Sequence, residues 1–76
     1  MSITIKYFAS LREQMGKAEQ TLAVEGVTTV ADVVDRLSDT NLPENTLVAV
    51  NQEYANDTTL VQAGDEVAFF PPVTGG

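Results

Sequence analysis

Thr28-Thr29-Val30-Ala31-Asp32-Val33-Val34-Asp35-Arg36-Leu37 carries a helical pattern in the middle of the chain. Val30, Val33, Val34 and Leu37 fall at i, i+3, i+4 and i+7, the apolar stripe of a helix lying on a sheet. Asp35, Arg36 and Asp39 take its wet side. Thr29 stands at the cap, with Asp32 at the third helical position, where a carboxylate complements the helix dipole. Valine is a mediocre helix former, so this helix depends on tertiary packing for its stability. The run Ser38-Asp39-Thr40-Asn41 and then Pro43 end it.

The segments on either side alternate with period two. From Ser2 to Phe8, Ile3, Ile5 and Tyr7 share one side, while Thr4, Lys6 and Phe8 share the other. That pattern predicts a strand with one buried face. Ser10-Leu11-Arg12-Glu13 has capping-box spacing and opens a short helix, with Leu11 and Met15 on one face and Gly16 as a left-handed stop. Glu19 to Val24 alternates again, with Leu22 and Val24 inward, and returns antiparallel to the first strand until Gly26 breaks it. Thr46 to Val50 predicts a third strand, followed by a polar loop at Asn51 and Gln52 and an irregular stretch from Tyr54 to Leu60. Asn56-Asp57 and Ala63-Gly64-Asp65 are turns. In the last strand, Glu66 to Phe70, Val67 and Phe69 point inward, and Glu66, Ala68 and Phe70 point outward. Pro71-Pro72 ends the pairing because neither ring can donate to a ladder.

A single small unit of α+β class follows, with a mixed sheet covered on one face by an amphipathic helix. A hairpin, a helical crossover and two further strands make the β-grasp, or ubiquitin-like, arrangement, with the first and last strands parallel and adjacent in the sheet centre. The expected organisation is one domain over residues 1–76, with residues 71–76 as a projecting tail. Fold alone assigns no activity.

Composition narrows the function. The 76 residues include no cysteine and no histidine, which excludes thiol nucleophiles, Ser-His-Asp triads and zinc-hydrolase sites of the usual kind. No metal site is expected, since Asp65-Glu66 and Asp32…Asp35 match no calcium-loop or glycosidase pattern and read as caps and solvated faces. No phosphate-binding glycine motif is present, so no nucleotide is expected to bind this chain. Four basic against eleven acidic residues leave a net charge of −7, which disfavours nucleic acid and anionic membranes and favours a basic protein partner. The opening MSITIKYFA lacks the marks of a signal peptide, and no stretch is long enough to span a bilayer, so a cytoplasmic location is the expectation.

Two features point to chemistry. In Pro71-Pro72-Val73-Thr74-Gly75-Gly76, the prolines aim the chain away from the body, and the glycines make its end thin enough for a narrow channel. Its one reactive group is the Gly76 carboxylate. Strand parity also turns Phe8 and Phe70 outward at the same end of two parallel strands, where the tail departs. A paired apolar patch beside a projecting tail reads as a docking surface.

The ending Gly64-Asp65-Glu66-Val67-Ala68-Phe69-Phe70-Pro71-Pro72-Val73-Thr74-Gly75-Gly76 resembles that of the small, sulfur-carrying subunit of molybdopterin synthase, a ubiquitin-related family. Tyr7-Phe8-Ala9-Ser10-Leu11-Arg12-Glu13 and Ala49-Val50-Asn51-Gln52 resemble the same family. The resemblance implies a carrier that is non-catalytic by itself and binds no cofactor. An ATP-dependent adenylyltransferase, related to ubiquitin-activating enzymes, would join the Gly76 carboxylate to AMP, and a sulfur donor would convert it to a thiocarboxylate. The tail, Pro71, Pro72, Val73, Thr74 and Gly75 with Gly76, would then enter the large synthase subunit, in a heterotetramer of two small and two large subunits. There sulfur passes to cyclic pyranopterin monophosphate to build the dithiolene of molybdopterin. The resemblance also places Phe8, Phe70 and Tyr54 at partner-facing apolar positions, Tyr54 where the family has an aliphatic side chain. The alternatives are a thiamin-pathway sulfur carrier, a ubiquitin-like modifier of lysines, and an interaction module with no covalent role.

Overall fold

In the computed structural model the chain runs β1 (Ser2–Tyr7), α1 (Ser10–Met15), β2 (Glu19–Ala23), α2 (Val30–Arg36), β3 (Leu47–Val50), β4 (Glu53–Ala55) and β5 (Glu66–Phe70). The structure describes residues 2–37 and 46–71. The strands form one mixed sheet in the order β2-β1-β5-β3-β4. β1 pairs antiparallel with β2 and parallel with β5, while β3 is antiparallel to both β5 and β4. The first and last strands therefore lie side by side in the centre, the β-grasp arrangement expected from the order of elements.

Alternation along the strands builds the core. Ile3, Ile5 and Tyr7 of β1, Val67 and Phe69 of β5, and Val48 and Val50 of β3 are buried with Leu11, Val30, Val33 and Leu37 from the helical side. Each such side chain contributes about 1.5–3 kcal/mol when fully buried. Leu22, Val24 and Met15 pack at the margin, as their spacing predicts. Val34 departs from the expected stripe: it stays exposed, so the buried face of α2 is the narrower set Val30, Val33 and Leu37.

α2 begins as the sequence predicts. The Thr29 hydroxyl accepts from the Asp32 amide at 3.4 Å, and the Asp32 carboxylate accepts from the amides of Thr28 and Thr29 at 2.9 and 3.0 Å. The next two amides, Val30 and Ala31, donate to the carbonyls of Thr59 and Asp57. A helix start leaves its first amides without internal partners, and here the segment between β4 and β5 satisfies them. The residues expected to end this helix, Ser38-Asp39-Thr40-Asn41 and Pro43, lie outside the described residues.

Two local expectations are corrected. Ser10 is not a cap: it is the first residue of α1, and Ala9 precedes it at φ 52°, ψ −130° with no side-chain capping bond. The Phe8 amide still donates to the Phe69 carbonyl at 3.1 Å, and the Phe8 carbonyl already accepts from Leu11 at 3.1 Å. The chain must reverse within one residue, leaving no extended position for a capping serine. The second correction is β4. Asn51 and Gln52 both have positive φ, 51° and 71°, and form a tight two-residue turn rather than an open loop. That turn folds Glu53–Ala55 back onto β3 as an edge strand, in a stretch expected to be irregular.

Among the described residues, no helix is long and apolar enough to cross a membrane.

The Tyr7 ring is buried, and its hydroxyl makes no hydrogen bond of full geometry among the described residues. Burial raises its phenol pKa, which the Gln20 side chain only partly offsets. Tyr7→Phe is therefore expected to leave the unfolding free energy from urea titration unchanged or raise it by up to about 1 kcal/mol, since it removes an unsatisfied buried hydroxyl. A clear loss would mean that the hydroxyl has a strong partner. The amides of Thr28 and Thr29 hold Asp32 below its ordinary value of 3.8. A depressed carboxylate stabilises the fold above its unfolded pKa, and that contribution disappears as pH falls through the folded pKa. Urea midpoints compared between neutral pH and about pH 3 should fall less in Asp32→Asn than in the parent, because the variant has lost this titration.

Candidate functional site

The face of the sheet away from the helices carries every side chain opposite in parity to the core. Phe8 and Phe70 stack there, with ring centroids 4.9 Å apart and planes 11° from parallel. Their meeting follows from register: Tyr7 faces Phe69 across the parallel β1–β5 ladder, so the next residue on each strand reaches the same end of the sheet. Phe8 is 39% exposed and Phe70 is partly shielded by it. An offset stack of this kind adds about 0.5–1.5 kcal/mol beyond area burial.

Tyr54 joins the pair from β4. Its ring lies 6.4 Å from that of Phe70, tilted by 55°, and the residue is 80% exposed. The three aromatics named from the sequence are thus brought together, and Pro71 follows directly after the end of β5 at Phe70. Pro72, Val73, Thr74, Gly75 and Gly76 lie outside the described residues.

Five further side chains share this surface. Lys6, Glu66, Gln52, Ala49 and Ala68 line a shallow hollow of about 390 Å³ with Phe8, Phe70 and Tyr54. Lys6 Nζ sits 3.0 Å from Glu66 Oε1 with both side chains about one-third exposed, at 38% and 32%. The hydrogen bond and charge of Glu66 raise the Lys6 ammonium above its ordinary value, and Glu19 adds to that effect. The signal for Lys6, Glu66 and Ala68 was present in strand parity, since they precede Phe8 and Phe70 at even spacing. Ala49 and Gln52 needed the β3–β4 hairpin.

The other acidic residues of interest do structural work. Asp65 accepts from the Gln62 amide at 2.9 Å and from Asn51 Nδ2 at 3.1 Å, while Asn51 Oδ1 accepts from the Glu66 amide. This network ties the β3–β4 turn to the start of β5. Among the described residues, no three carboxylates converge as a metal site would require.

A model of the ThiS family matches residues 5–76. The chain belongs to the ThiS family. The molybdopterin synthase sulfur carrier subunit of Arabidopsis thaliana is 32% identical to this ThiS-family chain over 81 residues, spanning 100% of the chain and 84% of the relative. The subunit of the same name from Escherichia coli is 36% identical over 80 residues, covering 97% and 99% of the two chains. The crystal structure of SAMP1 from Haloferax volcanii superposes at a TM-score of 0.80 with 35% identity, covering 100% of both chains.

Proposed function

We propose that this chain is the sulfur-carrying small subunit of a molybdopterin synthase and acts through the C-terminal carboxylate of Gly76. One observation carries the reading: the Phe8–Phe70 stack, extended by Tyr54, stands at the strand end from which Pro71 starts the tail. An exposed aromatic cluster beside a glycine terminus suits a protein that is held by its face and handled by its end. The names of the Arabidopsis and Escherichia coli relatives support the same reading.

The chemistry follows from the carboxylate. Resonance makes it a poor electrophile, so it is first joined to AMP from ATP by an adenylyltransferase, with pyrophosphate leaving. A sulfur donor attacks the carbonyl of that mixed anhydride, AMP departs, and the Gly76 terminus becomes a thiocarboxylate. The large synthase subunit then receives the tail, the sulfur attacks the bound cyclic pyranopterin monophosphate, and water cleaves the Gly76 acyl–sulfur bond, leaving the sulfur on the pterin and restoring the carboxylate. Two deliveries supply the dithiolene. Gly75 and Gly76 lack β-carbons, which lets the tail pass into sites narrow enough to keep water from the activated carbonyl. ATP is a substrate of the activating enzyme, and the assembly this reading implies is two small and two large subunits.

A second reading, a modifier that forms an isopeptide bond with lysines, is favoured by the likeness to a Haloferax volcanii protein named small archaeal modifier protein 1. Both readings use the same adenylate and differ in the acceptor.

Intact-mass analysis of the chain isolated from cells making the cofactor separates them. An oxygen-to-sulfur exchange at Gly76 is expected, whereas lysine-linked adducts without it would overturn the carrier reading. Reconstitution with the large subunit and the pterin precursor excludes a thiamin-pathway carrier if product forms. Gly76→Ala should abolish sulfur delivery in that assay while leaving the melting curve little changed; retained delivery would refute the role. Phe70→Ala should weaken binding of the large subunit by about 1–2 kcal/mol, as for an interface anchor. An unaltered dissociation constant would remove Phe70 from the contact.

A further inference from the structure

The hollow beneath the aromatic cluster has a defined floor and walls. One row of residues crosses the outer face of the sheet: Glu19 faces Lys6, Lys6 faces Ala68, Ala68 faces Ala49 and Ala49 faces Tyr54. Ala68 and Ala49 are the small members, and their larger neighbours stand above them. Lys6 bounds this floor on the β1 side and Tyr54 on the β4 side, roughly 14 Å apart at the usual strand spacing. Along β5, Phe70 and Glu66 stand two residues either side of Ala68, closing the other two sides. The result is a four-sided trough with an apolar floor, an aromatic wall, and an ion pair as the facing wall.

Electrostatics restricts what can fill it. Among the described residues, Lys6 and Glu66 are the only charged side chains lining the hollow, and they are already paired at 3.0 Å. Glu19 flanks Lys6 on the outer side and reinforces its positive charge. A charged group entering the trough would give up its hydration and find its counter-charge occupied. An uncharged apolar side chain carries no such cost; Ala49 and Ala68 are only 4% and 6% exposed, so it would rest on them and bury mainly the surrounding aromatic walls.

We propose that the partner seats a protruding apolar side chain on the Ala49–Ala68 floor and buries the Lys6–Glu66 pair intact beneath its rim. The pair then acts as a specificity element, because loss of either member alone leaves an uncompensated charge on the covered surface. This proposal rests on the reading of the aromatic face as the surface that meets the large synthase subunit.

The test is a double-mutant cycle read by calorimetric titration with the purified large subunit, with urea midpoints recorded for each variant. Lys6→Met and Glu66→Gln are each expected to raise the dissociation constant at least about tenfold, since each leaves an unpaired charge to be buried. The double variant is expected to return to within about threefold of the parent, as a neutral pair replaces a charged one. The pair is part-exposed, so all three variants should keep near-parental urea midpoints. Ala68→Leu fills the floor and should weaken binding about tenfold or more by excluding the incoming side chain.

Unchanged affinity in both single variants would place the pair outside the contact and overturn the proposal. Loss in Glu66→Gln alone, or in Lys6→Met alone, would mean that the partner supplies its own charge to this wall, and would overturn it as well. Normal binding by Ala68→Leu would sink the seated side chain. Phe70→Ala separates the two levels. If it binds normally while the cycle shows coupling, the aromatic anchor fails and the trough stands. If Phe70→Ala weakens binding while the cycle shows no coupling, the trough alone fails.

Discussion

The parallel ladder between β1 and β5 is the constraint on which the rest of the molecule depends. It joins segments more than sixty positions apart and holds together two hairpins that share no other strand contact. Its register sets both faces at once. With Ile5 opposite Val67 and Tyr7 opposite Phe69, the inner face closes a continuous apolar core, and the outer face brings Phe8 onto Phe70. A slip of one residue would exchange the two faces of β5, burying Phe70 and Glu66 and exposing Phe69. Few registers are so strongly specified, because here the core and the surface cluster both oppose the slip.

The two faces divide the work. The inner face takes the helices and supplies the stability. Among the described residues, the outer face carries a lighter structural burden, chiefly the Phe8–Phe70 stack and the Lys6–Glu66 pair. The turn network of Asn51, Asp65 and Gln62 connects them. By tying the β3–β4 hairpin to the start of β5, it fixes how β4 sits beside the centre of the sheet and so how Tyr54 stands relative to Phe70. The aromatic cluster is thus tied to hydrogen bonds that lie roughly 13 Å from Phe70 along β5, by the usual rise per residue.

Much of this was legible from residue order. Period-two alternation identified β1, β2 and β5 with their inward sets, β3 was placed as a strand without one, and Thr29 with Asp32 marked the start of α2. The misses have local causes. β4 is three residues long, too short for a periodicity to register, and Asn-Gln lacks the glycine that usually signals a tight hairpin turn. At Ser10 a satisfactory capping spacing was overridden by the ladder bond from Phe8 to Phe69, which forced the reversal onto Ala9. Val34 fits the helical stripe by spacing but lies at its rim. The aromatic pair followed from parity alone, whereas the trough did not. Its far wall belongs to β4, and its alanine floor becomes visible only when strands β5 and β3 are set in register.

The central position of β5 also bears on synthesis and quality control. As the nascent chain leaves the ribosome, β1–β2 and β3–β4 emerge as separate hairpins with unprotected edges, and isolated hairpins of this size are at best marginal in water. Only arrival of the last strand welds them. A polypeptide cut short before Phe70 would lack that weld and remain open to proteolysis. Completion of the sheet and formation of the Phe8–Phe70 stack are thus one event, since both wait on the same strand.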